Sequence, residues 1–310
     1  MSKIVVGSMS DWSGMLKDLF RQIDDGTIDL NHMRVFLSHQ NPFPEPSELV
    51  AEMQKILSRK LDQQILVDPL PVLCTVENIS LWEKYNLKLV FFPGVDIVPE
   101  TRLKGYTKPA EWFYRSWRDK KIADSAVTLI RGWYLADFTN SVDYIDGAQE
   151  FLNDPFAPII TKLRQEKKAG KYDQTPMGSR FAITNDEWRE VVCPAIAEEL
   201  GFEPNQVHLE RASEFNFIGN LYDANRGKFN AWEWFDDKFE DSNRLCGGNR
   251  DNGGLAVVHY DADYRSSSIA GRPLVSFIKS APFRRAFVYR DFSHPPVILP
   301  ISITFPSSII

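Results

Sequence analysis

Three cysteines, Cys74, Cys193 and Cys246, are all that the 310 residues hold, and they stand far apart. An odd, scattered set offers neither a disulfide framework nor a CxxC zinc site. The five histidines, His32, His39, His208, His259 and His294, lie at no metal-ligand spacing from one another. There is no GxGxxG, GxxxxGK[ST], GxSxG or HExxH, so dinucleotide, phosphate-loop, hydrolase-elbow and zincin chemistry all lack their sequence basis. No apolar run is long enough to span a bilayer. The first residues, "MSKIVVGSMSDWSGMLKDLF", show no basic segment followed by an apolar one and a cleavage site. A cytoplasmic protein without membrane insertion is therefore expected. Basic stripes are missing too. The formal charge is −6, which argues against nucleic acid as a partner.

What is present is ordinary globular composition, 43% hydrophobic and 25% charged, with aromatics at 13%. Residues 11–24 put Trp12, Met15, Leu16, Leu19, Phe20 and Ile23 at helical spacing, the pattern of a helix burying one face. "IDLNHMRVFLSHQNPF" predicts a second short helix. "EPSELVAEMQKILSRKL" predicts a third, with Leu49, Val50, Met53, Ile56 and Leu57 on one face. "NLKLVFFPGVDIV" (86–98) reads as a buried strand that stops at Pro93-Gly94, and 108–121 as a helix. These residues make 1–122 a mainly helical N-terminal region.

Further on, 126–139 is strand-like and 156–172 helical. In 183–202, Thr184 and Glu187 form the capping-box pattern and Gly201 supplies the stop. Cys193 falls on the apolar face of that helix. The alternation in 206–220 predicts a strand. In "NAWEWF", Trp232 and Trp234 would share one strand face while Glu233 points away from them; core packing and ligand contact are both open for the pair. The neighbouring acids Asp24-Asp25, Asp236-Asp237 and Glu198-Glu199 read as solvated charge.

The stretch from Arg244 to Phe277 has no clear period. Gly247-Gly248 and Gly253-Gly254 suit tight turns. "LAVVH" and "PLVSF" look like neighbouring strands, with "YDADYRSSS" an exposed loop between them. The residues alone leave two readings of that loop, a binding surface or a plain surface connection.

The ordered blocks "FNFIGNLYDANRGKFNAWEWF", "RLCGG" and "IAGRPLVSF" resemble the variable domain of target proteins of diversity-generating retroelements. They are similar also to the formylglycine-generating-enzyme-like branch of the C-type lectin fold. The resemblance spans roughly 126–278. It implies an α+β chain with a C-type lectin-like domain over 123–280, preceded by the helical region and followed by an extension over 281–310. It further implies that a reverse transcriptase miscopies adenines of a template repeat. The copied segment then replaces the variable repeat of the target gene. AAC-type codons diversified in this way never yield Lys, Glu, Gln, Met or Trp. Arg244 to Ile278 contains none of these five, which make up about a fifth of the chain; the segment 280–310 lacks them as well.

By the family pattern, the variable contacts would be Cys246, Asn249, Arg250, Asn252, Val257, Val258, His259, Tyr260, Asp263, Tyr264, Ser266, Ser267 and Ser268. Trp232, Trp234, Gly247, Gly248, Gly253, Gly254, Arg272, Pro273 and Leu274 would be the fixed scaffold. The resemblance thus points to a non-enzymatic binder with no cofactor and no metal, whose ligand is a protein or other macromolecule. Two alternatives follow from the same fold. One is an oxidase of the formylglycine-generating type, but that family's cysteines after the Gly pair are missing here and only Cys246 and His259 are at hand. The other is a constant calcium-dependent lectin using Asp251, Asn252, Asp261 and Asp263, at a spacing that fits no calcium loop.

Overall fold

The computed structural model describes residues 9–24, 28, 30–37, 48–101, 109–140, 150–223, 226, 232–248 and 256–277. The chain divides into two units, 1–278 and 279–310. The expected extension over 281–310 lies outside the described residues.

Helices and strands are mixed, as an α+β chain requires. The helices are α1 (Met9–Asp24), α2 (Leu30–Leu37), α3 (Glu48–Leu61), α4 (Val76–Lys84), α5 (Glu111–Arg118), α6 (Ala157–Gln165), α7 (Asn185–Glu187), α8 (Cys193–Leu200) and α9 (Ala212–Leu221). The strands are β1 (Leu87–Phe92), β2 (Gly132–Asp137), β3 (Val207–Leu209), β4 (Trp232–Phe239), β5 (Asn243–Gly248), β6 (Ala256–Asp261), β7 (Ile269–Gly271) and β8 (Pro273–Ser276). Among the described residues no helix is long and apolar enough to cross a membrane.

Among the described residues the strands form two four-stranded sheets. The first runs β1-β2-β8-β3, antiparallel throughout. The second runs β6-β5-β4-β7, antiparallel except for the parallel β4–β7 pair. "LKLVFF" and "GWYLAD" are nearly continuous apolar runs because the first sheet is covered on both faces. Leu135 and Val275 face a core shared with α6 and α8, while Tyr134, Ala136 and Leu274 face α3 and α9. Because β1 pairs with β2 from Leu87↔Asp137 to Phe92↔Gly132, a sheet crosses the division expected at residue 122.

Four expectations need correction. Only Val207–Leu209 of 206–220 is a strand; from Ala212 on the chain forms α9, whose residues from Ala212 to Gly219 are all buried. A helix buried all round has no polar stripe, so its 3.6-residue period disappears from the sequence. Next, Gly247-Gly248 make no turn. They lie buried inside β5, opposite Glu233 and Trp232, and the glycines with positive φ are instead Gly94, Gly132 and Gly201 among the described residues. Third, "LAVVH" and "PLVSF" are not neighbours, since β6 belongs to the second sheet and β8 to the first. Finally, α1 does not bury the face its pattern predicts: Leu16, Phe20 and Ile23 are 48%, 62% and 40% exposed.

The capping box on 183–202 is formed. Thr184 Oγ1 accepts from Glu187 N (3.1 Å), and Glu187 Oε2 accepts from Thr184 N (2.9 Å). Pro194 supplies no N–H to the helical ladder, and the segment just before it, Trp188–Val192, is wound as a π turn. Cys193 is buried in the core.

Candidate functional site

β6 is where packing gives way to surface. Its first half is covered on both sides. Val257 joins Phe235, Phe239 and Leu245 in the core beneath α5. His259, on the same face, stacks 3.9 Å from the Phe239 ring, with Trp112 on α5 stacked 5.7 Å away. Asn243 Nδ2 stands 2.9 Å from His259 Nδ1. The opposite face carries Val258, beside Cys246 and Trp234 in the core shared with α8. Coverage ends at Tyr260, which is 40% exposed and meets the Trp234 indole edge-on.

From there the surface continues into the loop 262–268. The Tyr260 and Tyr264 rings stack at 4.7 Å and 19°, and Tyr264 is 43% exposed. Asp261 and Asp263 are exposed, whereas Ser266, Ser267 and Ser268 are half-buried. Ser266 Oγ lies 2.9 Å from Ser268 Oγ and accepts from Ser268 N.

The loop backbone is held from outside. Asp186 N donates to Ala262 O (3.2 Å), Ala182 N to Ser266 O (2.9 Å), and Tyr172 Oη to Arg265 O (2.7 Å). Arg265 turns inward. It reaches Ala182 O and both oxygens of Glu187, at 2.8 and 2.7 Å. Glu187 also accepts from Gly170 N (2.9 Å). Burial works to raise the Glu187 carboxyl pKa, but the Arg265 contact and the backbone donors of Thr184 and Gly170 win and hold it below the usual range. Arg164 fixes the supporting segment by donating to Gly170 O, Pro176 O, Met177 O and Phe181 O.

Several expected positions therefore fall elsewhere. Cys246 and Val257, which the family resemblance places on a variable surface, are buried. Burial pushes the Cys246 thiol pKa up, and Trp234 stands directly across the ladder from it. Val258 and His259 are half-buried and engaged in packing. Asn249, Arg250, Asn252, Gly253 and Gly254 lie outside the described residues, as does Asp251. The surface that remains is Tyr260, Asp261, Asp263 and Tyr264, with the three serines at its margin.

Of the scaffold positions, Trp234 is buried and its Nε1 donates to Ile183 O (3.1 Å). Trp232 is half-buried against the same core. Glu233 does point away from the two Trp, yet it is buried and bonded to Arg272 Nε at 2.8 Å. Arg272 Nη1 also donates to Thr139 O (2.6 Å). Pro273 and Leu274 are buried in β8. Asp237, read as solvated, is buried as well. It accepts from Ala212 N at 2.7 Å, capping α9, and burial pushes its carboxyl pKa up to about 7.

Two residues were missed by sequence reasoning. Arg265 sits among small polar residues with no pattern to mark it; only the second oxygen of the predicted Glu187 cap, which needs a donor, hinted at a partner. Gly271 lies against the Trp188 indole, where an added Cβ would collide with the ring. Comparison with family models, curated proteins and solved structures returned no match for this chain.

Proposed function

We propose that this chain is a non-enzymatic binding protein of the diversity-generating retroelement kind. Its display surface would consist of Tyr260, Asp261, Asp263 and Tyr264 on a C-type lectin-like frame. The observation that carries this reading is the division of labour in 260–268. The backbone is bonded to a separate segment, Tyr172 to Glu187, while the four side chains face solvent. Side chains in that position can change without disturbing what holds the loop. Two stacked, half-exposed tyrosines beside carboxylates also resemble a paratope, where stiff aromatics supply contact area at low entropic cost. The absence of Lys, Glu, Gln, Met and Trp from 244–278 agrees with adenine-directed change. Cys246, buried with its thiol pKa pushed up, speaks against thiol chemistry at this face.

Sequencing the genomic neighbourhood tests diversification. A reverse transcriptase gene is expected there. So is a near-copy of the segment encoding 244–278 that differs at template adenines. A neighbourhood with neither would end the proposal. The corrected geometry adds a sharper expectation: adenine differences should concentrate in codons 260, 261, 263 and 264 and spare those for Arg265, Gly271 and Arg272.

A further inference from the structure

α1 and α2 carry apolar residues that nothing described in the fold covers. Leu16, Phe20 and Ile23 on α1 are 48%, 62% and 40% exposed, and Leu30 and Leu37 on α2 are 68% and 70% exposed. Scattered single hydrophobes are common on surfaces, but a row of them is not. On α1, Met9, Leu16 and Ile23 recur every seven residues, and on α2 Leu30 and Leu37 repeat the same spacing. Trp12 and Leu19 fall between the first three, at the alternating three- and four-residue steps of a heptad seam. An exposed apolar stripe at this spacing is one that a like helix can pack against.

We propose that α1 and α2 are the contact through which a second copy of this chain associates. The charges favour self-pairing. Those of α1 are Asp11, Lys17, Asp18, Arg21 and Asp24, and Arg21 already bonds Asp18 at 2.7 Å within the helix. The positions flanking the seam are instead Ser13, Met15, Phe20 and Gln22, so two identical helices meet without opposing like charges. The area suffices as well. The five exposed side chains amount to about three fully exposed ones, on the order of 500 Å² per copy. A pair would bury about 1,000 Å², the lower bound of a specific interface. A membrane surface fits less well, since α1 carries three acids against two bases.

The test is sedimentation of the full chain over a wide concentration range. Wild type should pass from monomer to dimer. Leu16→Glu/Ile23→Glu and Leu16→Lys/Ile23→Lys should each be monomeric, with the dissociation constant raised at least tenfold. Mixing the two variants should restore dimers, because their seams are then oppositely charged. The thermal midpoint and near-ultraviolet dichroism of the variants should match wild type, as the replaced side chains face solvent. The proposal is overturned by a wild type that stays monomeric, by variants that still dimerise, or by a mixture that stays monomeric. Variants that lose the fold would also overturn it, by showing the stripe to be core. So would binding of anionic vesicles by a chain that does not self-associate.

Discussion

At the residue scale, a few positions in the second sheet decide what its surface can be. Trp234 fills the core across the ladder from Cys246, and truncation to Ala should cost roughly 3–5 kcal/mol, as for buried aromatics. Gly271 is as constrained although it has no side chain. Gly271→Ala would drive a methyl into the buried Trp188 indole and should cost about 1–3 kcal/mol by urea unfolding. Glu187 makes the site acid-sensitive. Its folded-state pKa lies below the ordinary glutamate value, so the folded state holds its proton less readily than the unfolded chain does. The resulting stabilisation is fully present above about pH 4.3 and is lost as pH falls through the folded value. Stability measured across pH 3–6 should therefore drop on the acid side, and Glu187→Gln should flatten that dependence while lowering the neutral plateau.

At the element scale, β6 and its loop show what the sequence could reveal. The strand itself was legible from "LAVVH", and the loop from "DADYRSSS". Which strand residues stay accessible was not, because that depends on α5 and α8 closing over the two faces, from about 140 residues away in one case and about 60 in the other. α9 was misread for a related reason: Ser213, Glu214 and Asn216 are buried along with its apolar residues, so no solvent-facing polar stripe marks it as a helix. The cap on α7 was legible because Thr184 and Glu187 satisfy each other locally. Arg265 was not, since its bond to Glu187 spans 78 residues. If Arg265 pins the loop, Arg265→Ala should speed amide exchange of 262–268 while leaving exchange in β1 and β2 unchanged. Equal protection in variant and wild type would show the backbone bonds to be sufficient without it.

At the scale of the whole molecule, buried arginines tie the two sheets and their loops together. Arg180 bonds Asp154 twice at 2.7 Å and pairs with Asp137 at the end of β2. Arg226 joins Glu210 at 2.6 Å and donates to the Asp137 carbonyl, and Arg272 links Glu233 to the Thr139 carbonyl. Burial pushes the Asp137 carboxyl up, yet Arg180 and Arg272 pull it below its usual range. Removing this one charge leaves Arg180 and Arg272 each with one buried carboxylate instead of two, so Asp137→Asn should cost roughly 3–5 kcal/mol although it keeps the shape. A cost within about 0.5 kcal/mol, typical of a surface site, would show the cluster to be dispensable.

The central claim is that a rigid frame carries a face whose side chains are free to change. Chemical denaturation of single substitutions tests it most directly. Tyr260→Ala, Asp261→Ala, Asp263→Ala and Tyr264→Asp should each shift stability by no more than about 0.5 kcal/mol, against the several-fold larger losses expected for Trp234→Ala and Gly271→Ala. If the four exposed positions unfold the protein as readily as Trp234→Ala does, residues 260–264 belong to the core, and the display account is contradicted.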